Sequence, residues 1–159
     1  MQDTDGDLDI LVTTSADTQV MERFLAYDEV RIMLAHGATR SSVVLKSGLQ
    51  VDLRMVKTEN YGTALHYFTG FKAHHISIRR LAHARGLKIN GYAVFLGTQR
   101  IAGETEESMF AAVDLPLIPP ELREDRGEIE SGRNGTLLHL ITLTDLRGDV
   151  QRTYQRIRW

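Results

Sequence analysis

The segment Gly6-Asp7-Leu8-Asp9-Ile10-Leu11 constrains this chain more than any other. Leu8, Ile10 and Val12 alternate with Asp7, Asp9 and Leu11, which reads as a strand over residues 7–14. In a strand, residues i and i+2 point the same way, about 6.6–7 Å apart, so both acids share a face. A second run, Val51-Asp52-Leu53-Arg54, lies well downstream. There Gln50, Asp52 and Arg54 share one face, and Val51, Leu53 and Met55 the other. Three carboxylates on two neighbouring strands have the donor chemistry for two divalent cations roughly 3.5–4 Å apart. Oxygen donors of this kind suit magnesium. A solvated strand face with incidental acids has the same pattern. A calcium loop does not fit: Asp3, Asp5 and Asp7 alternate correctly, but the glycine of such a loop belongs at its sixth position and Thr14 stands where its closing glutamate should be.

The 159 residues suffice for one domain or two small lobes. No apolar run approaches the roughly 20 residues that span a bilayer, and the acidic first residues do not read as a secretory signal. The chain has no cysteine, which removes disulfides and thiolate metal sites and fits a reducing compartment. The net charge of −2 does not advertise a nucleic-acid binder, but its distribution is uneven. Residues 72–88 hold Lys72, Arg79, Arg80, Arg85 and Lys88 with His74, His75 and His83 and no acid, whereas acids gather in 3–9 and 104–130. Such a basic run is commonly a solvated face; it also suits a phosphate-facing one.

Ser15 or Asp17 is placed to cap a helix in which Val20 and Phe24, and Met21 and Leu25, form an i, i+4 stripe. Residues 42–56 read as a hairpin turning at Ser47-Gly48. The pattern changes at Lys57. A helix begins near Thr58 and is punctuated by Gly70; another runs from about Phe71 to Arg85 and stops at Gly86. Short strands follow at 87–89 and 92–96, with a return through Arg100-Ile101 after the Gly97-Thr98 turn. A helix is expected over 104–113, and a last helical segment over 121–130. The Gly- and Asn-bearing stretch 131–135 is expected to be flexible. The fold class is α+β, with a boundary near residue 57. Adjacent His74 and His75 diverge by about 100° on a helix, which argues against their sharing a metal.

The ordered set of motifs resembles the family X (polymerase beta-like) DNA polymerases, nearest their bacterial branch. The two acidic segments match the palm motifs. His66-Tyr67-Phe68-Thr69-Gly70 matches the Tyr-Phe-Thr-Gly signature of the thumb, and Arg79 falls where the family has an arginine on the next helix. Gly86-Leu87-Lys88-Ile89-Asn90, Gly103-Glu104-Thr105-Glu106-Glu107 and Pro120-Glu121-Leu122-Arg123-Glu124-Asp125 resemble later thumb elements. The resemblance covers roughly residues 6–131. Leu146 to Gln151 looks like the entry to a following phosphoesterase domain.

The resemblance implies a partial nucleotidyltransferase palm sheet with a helix at 1–57, a mixed α+β thumb at 58–131 and a linker or tail at 132–159. It implies that Asp7, Asp9 and Asp52 bind two Mg2+ ions, for which Mn2+ substitutes, and that Asp52 helps activate a primer 3′-hydroxyl. Tyr67, Phe68, Gly70 and His75 would meet the incoming deoxynucleoside triphosphate; Arg79, Lys72 and Arg80 would meet primer-template or gapped DNA. Arg54 would gate the site by pairing with Asp7 or Asp9. The implied function is gap-filling repair synthesis in the cytoplasm, at the nucleoid. His75 stands where the animal enzymes have asparagine, and can still donate a hydrogen bond. Gly91 replaces a glutamate expected to partner Arg54. The family's Gly-Ser triphosphate-binding element is expected upstream of the first acidic strand, and the chain reads as the later part of a palm with a whole thumb. Without it, the alternative is a catalytically silent piece that binds DNA or nucleotide weakly, or self-associates through apolar sheet surface.

Overall fold

The computed structural model describes residues 6–14 and 19–145. The expected caps Ser15 and Asp17, and the segment 146–159, lie outside the described residues. Strand β1 (Asp7–Thr13) leads to helix α1 (Val20–Leu25), then strands β2 (Val30–His36), β3 (Arg40–Leu45) and β4 (Gln50–Val56). A 3-10 turn over Thr58–Asn60 enters α2 (Tyr61–Phe68), followed by α3 (Lys72–Ala84). Strands β5 (Leu87–Ile89), β6 (Val94–Leu96) and β7 (Gln99–Ala102) precede α4 (Glu106–Ala111) and α5 (Glu128–Arg133).

The strands form two sheets. The first has the order β1-β4-β3-β2 and the second β5-β6-β7. Strand β1 runs parallel to β4, and β4 is antiparallel to β3 in a hairpin. The hairpin closes where Gly48, at φ +91°, lets its amide reach the Leu45 carbonyl at 2.9 Å. Val43, Val51 and Leu53 are buried on the face opposite Asp52, as period-2 alternation requires. The main apolar core lies in the second half of the chain. Ile78 and Ala82 of α3 pack with Val94, Ala102, Met109, Phe110, Val113, Leu115 and Ile118.

The structure is mixed α+β, as the sequence suggests, but differs in four places. Strand β2 is unforeseen: Ile32, Met33 and Leu34 are consecutive apolar residues without alternation, and its pairing with β3 contains register shifts. Helix α4 is shorter than 104–113, because Thr105 caps it; its hydroxyl accepts from the Ser108 amide at 3.1 Å. The segment 121–130 is not one helix. A 3-10 turn at Pro120–Leu122 gives way to Asp125 at φ +58° and Gly127 at φ +102°, and α5 starts only at Glu128. Ser131, Gly132 and Arg133, expected to be flexible, belong to α5, where Gly132 is buried against Leu115 and Pro116.

Candidate functional site

Parallel pairing of β1 with β4 sets Asp9 directly opposite Asp52, with Asp7 opposite Gln50. Neighbouring strands lie about 4.8 Å apart, so the three carboxylates occupy one small patch of sheet. Their surroundings differ. Asp9 is raised above the usual aspartate value, by burial first and then by the like charges of Asp52 and Asp7; Arg54 and Arg40 oppose this. Burial alone would raise Asp52 too, but hydrogen bonds from Ser42, Arg40 and Gln50 outweigh it and hold the carboxyl low. Arg40 Nη2 lies 3.1 Å from Asp52 Oδ2, and Gln50 Nε2 donates to Oδ1 at 3.4 Å.

Crowded carboxylates that repel one another, with one kept ionised, are the donor chemistry a divalent cation relieves. The residue types therefore fit the magnesium the sequence implies. Among the described residues, no three His, Asp or Glu side chains are gathered closely enough to hold a metal as they stand. The Asp52 carboxylate faces Arg40 instead.

Arg40 and Ser42 are missed by the sequence reading. A signal for them exists: with the turn at Ser47-Gly48, antiparallel register sets Ser42 opposite Asp52 and Arg40 opposite Arg54. Arg54 departs from its expected role. It lies over the Phe68 ring, 5.0 Å from the centroid, rather than in an ion pair with Asp7 or Asp9. Its charge still lowers the Asp9 pKa.

The thumb-like residues come together across from the sheet. A cavity of about 420 Å3 is lined by Asp9 together with Tyr67, Phe68, Gly70, Lys72, His75, Ile76 and Arg79. Tyr67 and Phe68 meet edge to face at 5.3 Å, and the Arg79 guanidinium lies over Tyr67 at 5.9 Å. Helix α2 ends at Phe68, and Gly70 adopts φ +86°, a conformation that favours glycine. A second cavity, about 570 Å3, shares Tyr67, Phe68 and Arg79 as a wall and adds Arg54, Lys57 and Gly91. Arg80 is not in either; it lines a shallow depression along α3 with Ile76, Arg79, His83 and Ala84.

His75 differs from its expectation. Burial pushes its pKa down, so the ring is neutral near pH 7, and its Nε2 lies 2.9 Å from the Thr69 carbonyl. Only an N–H can bond a carbonyl, so the proton sits on Nε2 and Nδ1 is an acceptor. His75 therefore offers an acceptor where the sequence suggested a donor. His74 turns away, as helix geometry requires: it is buried, with Nδ1 2.6 Å from Glu128 Oε1.

The family model for the DNA polymerase beta thumb matches residues 64–124. The chain is 36% identical over 153 residues to the DNA polymerase/3′-5′ exonuclease PolX of Bacillus subtilis (strain 168), an alignment that covers 94% of this chain and 26% of the relative. The chain thus spans about a quarter of that relative's length. Its fold is similar to that of Leishmania infantum polymerase beta, solved as a ternary P/T complex, with a TM-score of 0.63 and 20% identity over 76% of this chain and 62% of the other. The palm-type acids, the Tyr-Phe-Thr-Gly turn, the fold and these likenesses together make the chain a member of the family X DNA polymerases.

Proposed function

We propose that this chain supplies the catalytic acids and the nucleotide-facing lobe of a DNA-directed DNA polymerase acting in gap-filling repair. The observation that supports this most is the one cavity shared by Asp9 of β1, Tyr67 and Phe68 of α2, Gly70 of the turn that follows, and Lys72, His75 and Arg79 of α3. A site for nucleotidyl transfer needs acids beside a surface that receives the sugar and base, and a cavity that joins Asp9 to two aromatic rings and two cations supports that reading.

In this reading residues 1–57 are palm, 58–131 thumb and 132–159 linker. Asp7, Asp9 and Asp52 would hold two magnesium ions, which would supply stabilisation of the charge that develops in in-line transfer. Asp52, kept ionised by Ser42, Arg40 and Gln50, draws the proton from the primer 3′-hydroxyl. The hydroxyl oxygen attacks the α-phosphorus and pyrophosphate leaves. Tyr67 and Phe68 face the deoxyribose, and His75 Nδ1 accepts a hydrogen bond on the base side. Lys72 and Arg80 contact phosphates, while Arg79 reaches the minor groove. Arg54 exchanges Phe68 for a carboxylate of the site as it opens and closes. The chain works in the cytoplasm, at the nucleoid, and self-associates through its exposed sheet.

Extension of a one-nucleotide gapped primer with magnesium tests the assignment. Asp52→Ala and Asp52→Asn should each cut the rate by on the order of 10²–10⁴-fold, the usual contribution of a positioned acid or base. Equal extension by wild type and variants would overturn the role of Asp52. Extension by none of them, with gapped DNA still bound, would favour a binding module over a catalyst.

A further inference from the structure

Arg123 is fully buried, and among the described residues it is the largest side chain so enclosed. Its Nε donates to the Ile118 carbonyl at 2.8 Å. Its Nη1 lies 2.7 Å from Glu106 Oε1 and also donates to the Thr69 hydroxyl. The guanidinium stands 5.2 Å from the Phe110 ring centroid. One buried cation thus joins the end of α2, the start of α4 and the loop after Ile118.

Burying an ion pair is seldom the cheapest route to stability, since desolvation offsets much of the attraction. A well-packed apolar residue would hold these elements together as firmly. What the guanidinium adds is direction, because its fork fixes where its partners sit. The element it fixes is the turn after Phe68. The Phe71 amide donates to the Arg123 carbonyl at 2.8 Å, and a Cβ on Gly70 would meet Arg123 Cβ at 2.5 Å. The Thr69 hydroxyl, which accepts the hydrogen bond from Arg123 Nη1, donates one to the Leu65 carbonyl at 2.8 Å. Further along, Glu128 accepts from the Asp125 and Arg126 amides and from His74 of α3. The segment from Ile118 to Glu128 is therefore tied at Arg123 to the turn itself and at Glu128 to α3.

We infer that Arg123, braced by Glu106, is a positioning residue: through Thr69 and the Phe71 amide it sets the Tyr67–Gly70 turn at the angle that receives a deoxynucleoside triphosphate. The inference rests on the proposed nucleotide role of that turn. Arg123 lines neither cavity at the turn and touches no substrate; it acts from beneath.

Thr69→Val keeps the shape and removes the hydroxyl, and Glu106→Gln removes the balancing charge; both are milder than Arg123→Met, whose fold is at greater risk. Amide hydrogen exchange over residues 66–72 reads the turn directly. Binding of Mg2+–dCTP to the chain on a one-nucleotide gapped duplex with template dG reads its consequence. Each variant should speed exchange in the turn about tenfold and weaken dCTP binding by a similar factor, the scale of one charge-assisted hydrogen bond. Exchange in β1 to β4 and affinity for the gapped duplex itself should not change. Unchanged exchange in the turn would overturn the brace. A loosened turn with unaltered dCTP affinity would overturn its positioning role. A wild-type chain that binds the duplex but no dCTP would instead overturn the proposed nucleotide site, and exchange would still decide whether Arg123 holds the turn.

Discussion

His66 shows how sharply one residue's setting is defined. It is 4% exposed, with His75 at 4.7 Å, Phe110 at 5.3 Å and His74 at 5.6 Å between ring centroids. Burial, then the charges of His75, Arg123, His74 and Arg79, push its pKa down from 6.5 to about 2. His74 and His75 are shifted the same way, chiefly by burial. Glu128 faces His74, and Glu106 faces Arg123. Between about pH 6.5 and 2 the unfolded chain holds a proton on His66 that the folded chain lacks, so folding loses stability as pH falls through this window. The slope is at most about 1.4 kcal/mol per pH unit for each such group. Glu128, whose pKa is lowered, adds a loss of its own only below its ordinary value of 4.5. Urea unfolding of the chain should be flat above pH 7 and fall measurably by pH 5.5, and His66→Phe should reduce the slope in that range without abolishing it. A wild-type curve that stays level from pH 7.5 to 5.5 would contradict this account.

At the scale of elements, the packing of α2 on α4 turns on Gly62. Its amide and that of Thr63, free donors in the first turn of α2, bond the Glu104 and Gly103 carbonyls at 3.1 and 3.2 Å. The backbones approach so closely that a Cβ on Gly62 would lie 2.1 Å from the Thr105 carbonyl carbon. Helix propensity alone would make Gly62→Ala stabilising by up to about 1 kcal/mol. The contact predicts the reverse, a net loss of about 1–3 kcal/mol as α2 is forced from the Thr105 cap. Chemical denaturation gives the sign, and a neutral or stabilised variant would refute the close contact. The same distinction explains what was legible in the sequence. Period-2 runs disclosed β1 and β4, and helical stripes with Gly70 and Gly86 as stops disclosed α2 and α3. Strand β2 escaped because its apolar residues point to both faces. The acids of 121–130 imitate a helix, but Glu128 spends its carboxylate on the Asp125 and Arg126 amides, which starts the helix late. In the site, the acids and the Tyr67-Phe68 pair announce themselves by spacing. Arg40, Glu106, Arg123 and Glu128 do not, since each acts on a partner brought near only by folding.

For the molecule as a whole, the apolar residues are unevenly covered. The cluster around Phe110 is sealed, whereas Leu8, Ile10, Ile32, Met33 and Leu34 of the first sheet are all more than a third exposed. They lie on β1 and β2, the two edge strands of that sheet. Edge strands bearing apolar side chains offer both unpaired backbone groups and dry surface, a combination that drives pairing between copies. The proposed self-association rests on this, and its seat is placed at β2, where three consecutive apolar residues lie open. Sedimentation at tens of micromolar should show species larger than a monomer. Leu34→Lys places a charge on the exposed edge and should shift the population toward monomer, with the unfolding midpoint nearly unchanged because Leu34 is already half exposed. An equal charge at Tyr92, exposed on the second half of the chain, serves as the control and should leave the distribution as it was. A wild-type chain that is monomeric throughout this range, or a Leu34→Lys variant that associates as strongly as wild type, would rule out the β2 edge as the contact.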